Sequence, residues 1–171
     1  MKKLITKWVI VAILILLIAY SGFATYNWLE EERIRSYTVN DVVYLSDMSL
    51  VDLGDVGLGA EYLTKPDTTD ELVRESTLRY FWHARTLYYS SGMLRVLTND
   101  DKYRLFQIAM SNLQAFFIEA YNGPNRKEIL TTNLATLKQM DDTLGEILRI
   151  NNLTLADAEK LLALSGNLTI G

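Results

Sequence analysis

The chain has no cysteine, one histidine and two prolines in 171 residues. Without a thiol it forms neither a disulfide staple nor a thiolate metal site, and no lipid can be attached behind a leader peptide. The single histidine, His83, cannot make a metal centre alone. Carboxylate-bridged bundles carry a Glu-x-x-His on each of two helices, and the residue three before His83 is Tyr80. No serine lies in a nucleophile elbow, so a Ser-His-Asp site is not expected. With proline only at 66 and 124, long stretches are free to be helical. Neither a cofactor nor a metal is expected, and the chain does not read as an enzyme.

Basic residues are few as well. There are 17 against 21 acidic residues, giving a net charge of −4. Setting aside Lys2, Lys3 and Lys7 leaves 14 against 21, so the remainder is −7. A domain of that sign is repelled by nucleic acid and by anionic lipid headgroups.

What the chain has in quantity is one apolar run, Trp8 to Phe23, and no charged residue occurs from Trp8 to Trp28. About 20 such residues suffice to cross a bilayer as a helix. Trp8 lies at one end and Tyr20, Tyr26 and Trp28 toward the other, where amphipathic rings favour the headgroup level. Lys2, Lys3 and Lys7 precede the run and Glu30, Glu31 and Glu32 follow it. The positive-inside rule then predicts a basic cytoplasmic N-terminus (residues 1–7), a membrane anchor (8–25) and an extracytoplasmic domain (26–171) in a single-pass cell-membrane protein. The rival is a signal peptide cut after Ala24, with Gly22 and Ala24 as its small residues. Bulky Tyr20 and Phe23 crowd that site and argue for retention. A type IV pilin would need a glycine before its cleavage point and a glutamate inside the run, and neither is present. Thr25-Tyr26-Asn27 with Leu29, just behind an apolar anchor, resembles the start of LemA-type membrane proteins. The likeness stops there, because the arginine-rich segment and Leu-Ile-Pro expected next are missing.

Beyond the anchor the pattern is helical throughout. The first helix continues as a stalk to about Leu45, on a stripe of Ile34, Tyr37, Asp41, Leu45 and Met48. Gly54, Gly57 and Gly59 weaken it and Lys65-Pro66 ends it. Thr68 with Glu71 suggests a capping box opening a second helix to about Leu97, bent near Ser90-Ser91-Gly92. Its middle, RYFWHARTLYY, is apolar on most sides and predicts the central helix. A third starts at Thr98-Asn99-Asp100-Asp101 and repeats Phe106, Ala109, Met110, Leu113, Phe116, Phe117 and Ala120 at helical spacing. Asn122-Gly123-Pro124 stops it. A fourth starts at Asn125 with Glu128 and carries Leu130, Leu134, Leu137, Asp141, Leu144 and Leu148, and Thr154 with Asp157 opens a short last helix. The expected fold is all-α: a transmembrane helix, then an up-and-down bundle of three to four long helices plus a short C-terminal helix.

Two sets of residues are candidates for function. Tyr80, Trp82, Arg85, Tyr88 and Tyr89 form an aromatic stretch that is either bundle core or an exposed face for a partner or ligand, since Tyr, Trp and Arg dominate binding hot spots. Asp141 stands alone on an apolar row and Arg85 among rings, which predicts a buried ion pair between them, worth about 3–5 kcal/mol if one side is removed. The glycines of DLGDVGLGAE fit neither a dinucleotide fingerprint nor a calcium loop, and mark a flexible helix end or a close backbone approach. Asn152 and Asn167 head glycosylation triplets of the kind that arise by chance. The function expected is a protein–protein interaction or regulatory module of the cell envelope, with the bilayer and either an envelope protein or a second copy as partners. The alternative is a small-molecule-sensing bundle that signals through a partner chain.

Overall fold

The computed structural model describes residues 2–147 and 149–169, with side chains for Trp8 and from Ile13 onward. The side chains of Lys2, Lys3 and Lys7, and the stripe residue Leu148, lie outside the described residues. Among those described there is no strand. In chain order they form α1 (Lys2–Leu53), α2 (Val56–Leu63), α3 (Asp70–Thr98), α4 (Asp101–Asn122), α5 (Arg126–Glu146), a 3₁₀ turn (Ile150–Asn152) and α6 (Leu155–Gly166). Two compact units divide the chain, Met1–Val39 and Asn40–Gly171.

The described residues of the first unit all belong to α1. From Ile13 on, it is long and apolar enough to cross a membrane by length and composition, and its most apolar stretch is not buried. Trp8, Tyr20, Tyr26 and Trp28 are all exposed.

In the second unit the rest of α1 becomes two-faced. Val42, Ser46, Ser49, Leu50 and Leu53 recur at helical spacing and are buried. Burial of that stripe carries α1 past the expected end near Leu45 despite β-branched Val42 and Val43, so tertiary packing overrides propensity. The chain then turns at Gly54-Asp55 into α2, which lies against α5.

Helix α3 is capped one residue later than expected. Thr69 Oγ1 accepts the Leu72 N–H at 3.2 Å, while the Thr68 hydroxyl donates to the Tyr62 carbonyl. Asn99 in the left-handed conformation (φ 55°) ends it. The bend expected at Ser90-Ser91-Gly92 does not break the helix. Both serine hydroxyls bond back to carbonyls one turn earlier, and a Cβ on Gly92 would stand 2.6 Å from Gln107 Nε2 of α4.

The central helix is α4, not α3. It packs along α3 and against α6 and α5, and its stripe Phe106, Ala109, Met110, Leu113, Phe116, Phe117 and Ala120 is buried throughout. Helix α6 opens with the capping box of Thr154 and Asp157 and buries Ala158, Leu161 and Ser165. Asn133 of α5 fastens the tail behind it: its Nδ2 donates to the Thr169 carbonyl and its Oδ1 accepts the Thr169 N–H, both at 2.8 Å.

Candidate interaction surface

The aromatic stretch of α3 divides between core and solvent because a helix turns about 100° per residue. Tyr80, Ala84 and Leu87 face inward. Tyr80 stacks on Phe117 at 5.4 Å, and its hydroxyl donates to Asp55 Oδ1 at 3.0 Å. Burial, reinforced by the Asp55 carboxylate, pushes the Tyr80 phenol up to about 12. Tyr80 is therefore a core residue and not part of an exposed patch. Tyr88 is half-buried.

Trp82 and Tyr89 face outward, 52% and 56% exposed, and Met93 and Val96 extend the same ridge at 49% and 81%. The spacing 82, 89, 93, 96 is a helical stripe, legible in the sequence but hidden by the polar residues between. Arg85 lies within this ridge. Its guanidinium stands 5.1 Å from the Trp82 ring, 5.6 Å from Tyr89 and 5.9 Å from Phe81. Each such contact at a partly exposed site contributes about 0.5–1 kcal/mol, and three rings surround the one guanidinium.

Arg85 and Asp141 are not brought together. Arg85 rests on its rings, whereas Asp141 Oδ2 accepts the Leu58 N–H at 3.1 Å, supplying from α5 the cap that α2 lacks on its own N-terminus. The expected buried ion pair does not form. The reason is geometric: Gly57 lets α2 lie so close on α5 that Asp141 reaches its amides. A Cβ there would stand 2.6 Å from Lys138 Cα and 2.9 Å from Asp141 Cβ. Gly59 faces the Tyr80 hydroxyl in the same way. Of the two readings of this glycine cluster, close approach is the one the packing supports.

Burial pushes the Asp141 carboxyl above the ordinary value of 3.8. The folded chain then holds this proton more tightly than the unfolded one, so the group adds stability at low pH and loses it as pH rises through its raised value. Asp141→Asn is expected to abolish that slope in urea-unfolding free energies while keeping an oxygen for Leu58. Asp141→Ala is expected to cost about 1–2 kcal/mol, less than a broken buried ion pair. In a double-mutant cycle with Arg85→Ala the losses should add within about 0.5 kcal/mol; a larger coupling would restore the pair.

His83 is half-buried, with Nε2 3.5 Å from Asp52 Oδ2. Burial holds its pKa below the ordinary value, against the pull of Asp52. Among the described residues no group of three or more His, Asp or Glu could hold a metal ion. A surface hollow lined by Glu119, Gly123, Asn125, Glu128, Thr132 and Thr169 presents two carboxylates and two hydroxyls.

No known protein family, curated protein or solved structure matches the chain. Its function is therefore argued from its surface.

Proposed function

We propose that this chain is a single-pass membrane-tethered interaction module, N-terminus in the cytoplasm, whose helical domain docks an envelope protein outside through the α3 ridge. The observation that carries the reading is the ridge itself. Trp82, Tyr89, Met93 and Val96 are left in solvent around a ring-held arginine. Trp, Tyr and Arg supply most hot-spot energy, and a rigid helix presents them at little entropic cost. Support for the tether comes from the apolar span of α1, the lysines before it and the glutamates after it.

Two experiments test the two halves. Carbonate-washed membranes should retain a chain of full-length mass. A soluble product beginning at Thr25 would sink the tether. With a photo-crosslinking benzoylphenylalanine in place of Tyr89, a discrete protein adduct is expected on irradiating whole cells. The same probe at exposed Lys160 of α6 should give none. Equal labelling at both positions, or none at Tyr89, would remove the ridge as the docking surface.

A further inference from the structure

A second face, separate from the α3 ridge, carries its own charge logic. Between Ser36 and Thr64 the chain has no lysine or arginine, but it has Asp41, Asp47, Asp52, Asp55 and Glu61. Within Asn40–Leu53 the inner face of α1 is core, as described above. The outer face is also apolar: Tyr44, Met48 and Val51 are 68%, 58% and 69% exposed. Asp41, Tyr44, Met48 and Val51 follow one another at intervals of three, four and three, the seam spacing of a two-stranded coiled coil. Asp47 and Asp52 then fall at the two positions that flank the seam. Hollows lie on the surface beside Met48, one among Asp47, Val51 and Asp52 and another reaching Tyr44, Arg149 and Asn151.

The acids decide what covers this face. If α1 paired in parallel with a second copy, Asp41 would meet Asp41 in the seam. Asp47 of each copy would also stand opposite Asp52 of the other, since flanking residues five apart are the ones that meet. All of these contacts are repulsive, and like charges set against each other at an interface suppress that pairing. Glu61 is held by Lys138 Nζ at 2.8 Å, but among the described residues Asp41, Asp47 and Asp52 have no lysine or arginine partner. Asp41 makes no ion pair among the described residues. Of those residues, Asp52 pairs with His83 alone, at 3.5 Å, and Asp47 uses one oxygen to accept the Ile150 N–H at 2.7 Å. Arg149 borders the hollow and, among the described residues, forms no ion pair with an acid.

We infer that the outer face of α1 between Asp41 and Asp52 is a docking seam for a cationic amphipathic helix of another protein. The partner's apolar stripe packs on Tyr44, Met48 and Val51, and its lysines or arginines meet Asp41, Asp47 and Asp52.

The test uses the full chain in neutral detergent micelles, with chain-free micelles as the blank. The probe is a labelled synthetic heptad peptide with isoleucine and leucine at the seam and lysine at both flanking positions. Its self-repulsion keeps it monomeric. A control peptide carries glutamate in place of lysine. Saturable anisotropy change is expected with the lysine peptide, at least roughly tenfold tighter than with the glutamate peptide and weakened by high salt. Met48→Glu should abolish it. Asp41→Lys combined with Asp52→Lys should invert the preference, and both variants change exposed side chains, so their helical circular dichroism should match the parent. Three results would overturn the inference: no binding of the lysine peptide, binding that ignores both variants, or a chain that forms its own dimer and loses it on Met48→Glu.

Discussion

Phe117→Ala is expected to remove about 3–5 kcal/mol of unfolding free energy, the range for deleting a fully buried ring. Phe117 sits where α3 meets α4. Its ring stacks on Tyr80 at 5.4 Å and lies edge-on to Phe116 at 5.1 Å. Aromatic pairs contribute about 0.5–1.5 kcal/mol beyond their buried area. Collapse cannot easily fill the cavity, because Tyr80 is held at its far end by Asp55. Against a total stability of about 5–15 kcal/mol, this is a large fraction. Urea midpoints of the full chain in mild detergent would measure it. Phe81→Ala, at the residue after Tyr80 on the half-buried flank of α3, should cost only about 1 kcal/mol. If the two variants melted alike, the α3–α4 seam would not be the core.

Gly57→Ala is expected to cost about 2–3 kcal/mol although it adds a single methyl group, as overpacking of a closed seam does. The new carbon would stand 2.6 Å from Lys138 Cα, a backbone atom that cannot swing aside. Helix α2 would have to lift off α5, and the Leu58 N–H would leave Asp141. The matched control is Gly145→Ala in α5, where nothing lies within 4 Å. There the same substitution should stabilise by about 0.5–1 kcal/mol, because alanine loses less backbone entropy in a helix. Opposite signs from one chemical change would show that close approach, and not helix propensity, governs Gly57. Equal signs would count against it.

Much of the fold could be read in advance where periodicity was strong. The stripe from Phe106 to Ala120 marked α4, Thr154 with Asp157 marked the start of α6, and the stop at Gly123-Pro124 lies where α4 ends. Misreadings fell where local signals competed. Thr68 and Thr69 are chemically equivalent as caps, and only the path from Tyr62 decides which one faces the helix. Rings on every side of α3 hid the division between core Tyr80 and exposed Trp82. The candidate surface was legible in residue type but not in direction. Trp82, Arg85 and Tyr89 stand on the ridge, Tyr80 does not, and Met93 and Val96, whose residue types carry no hot-spot signal, extend it.

The sequence alone determined the helical class, the apolar span of α1 and the exclusion of thiol chemistry, because these depend on composition and on local spacing along one helix. Only the tertiary structure decided which helix is central, which partner Asp141 serves and which apolar faces stay in water. Those outcomes depend on how closely two helices approach. Here that distance is set by a missing Cβ at Gly57, more than eighty residues from the aspartate it brings within reach.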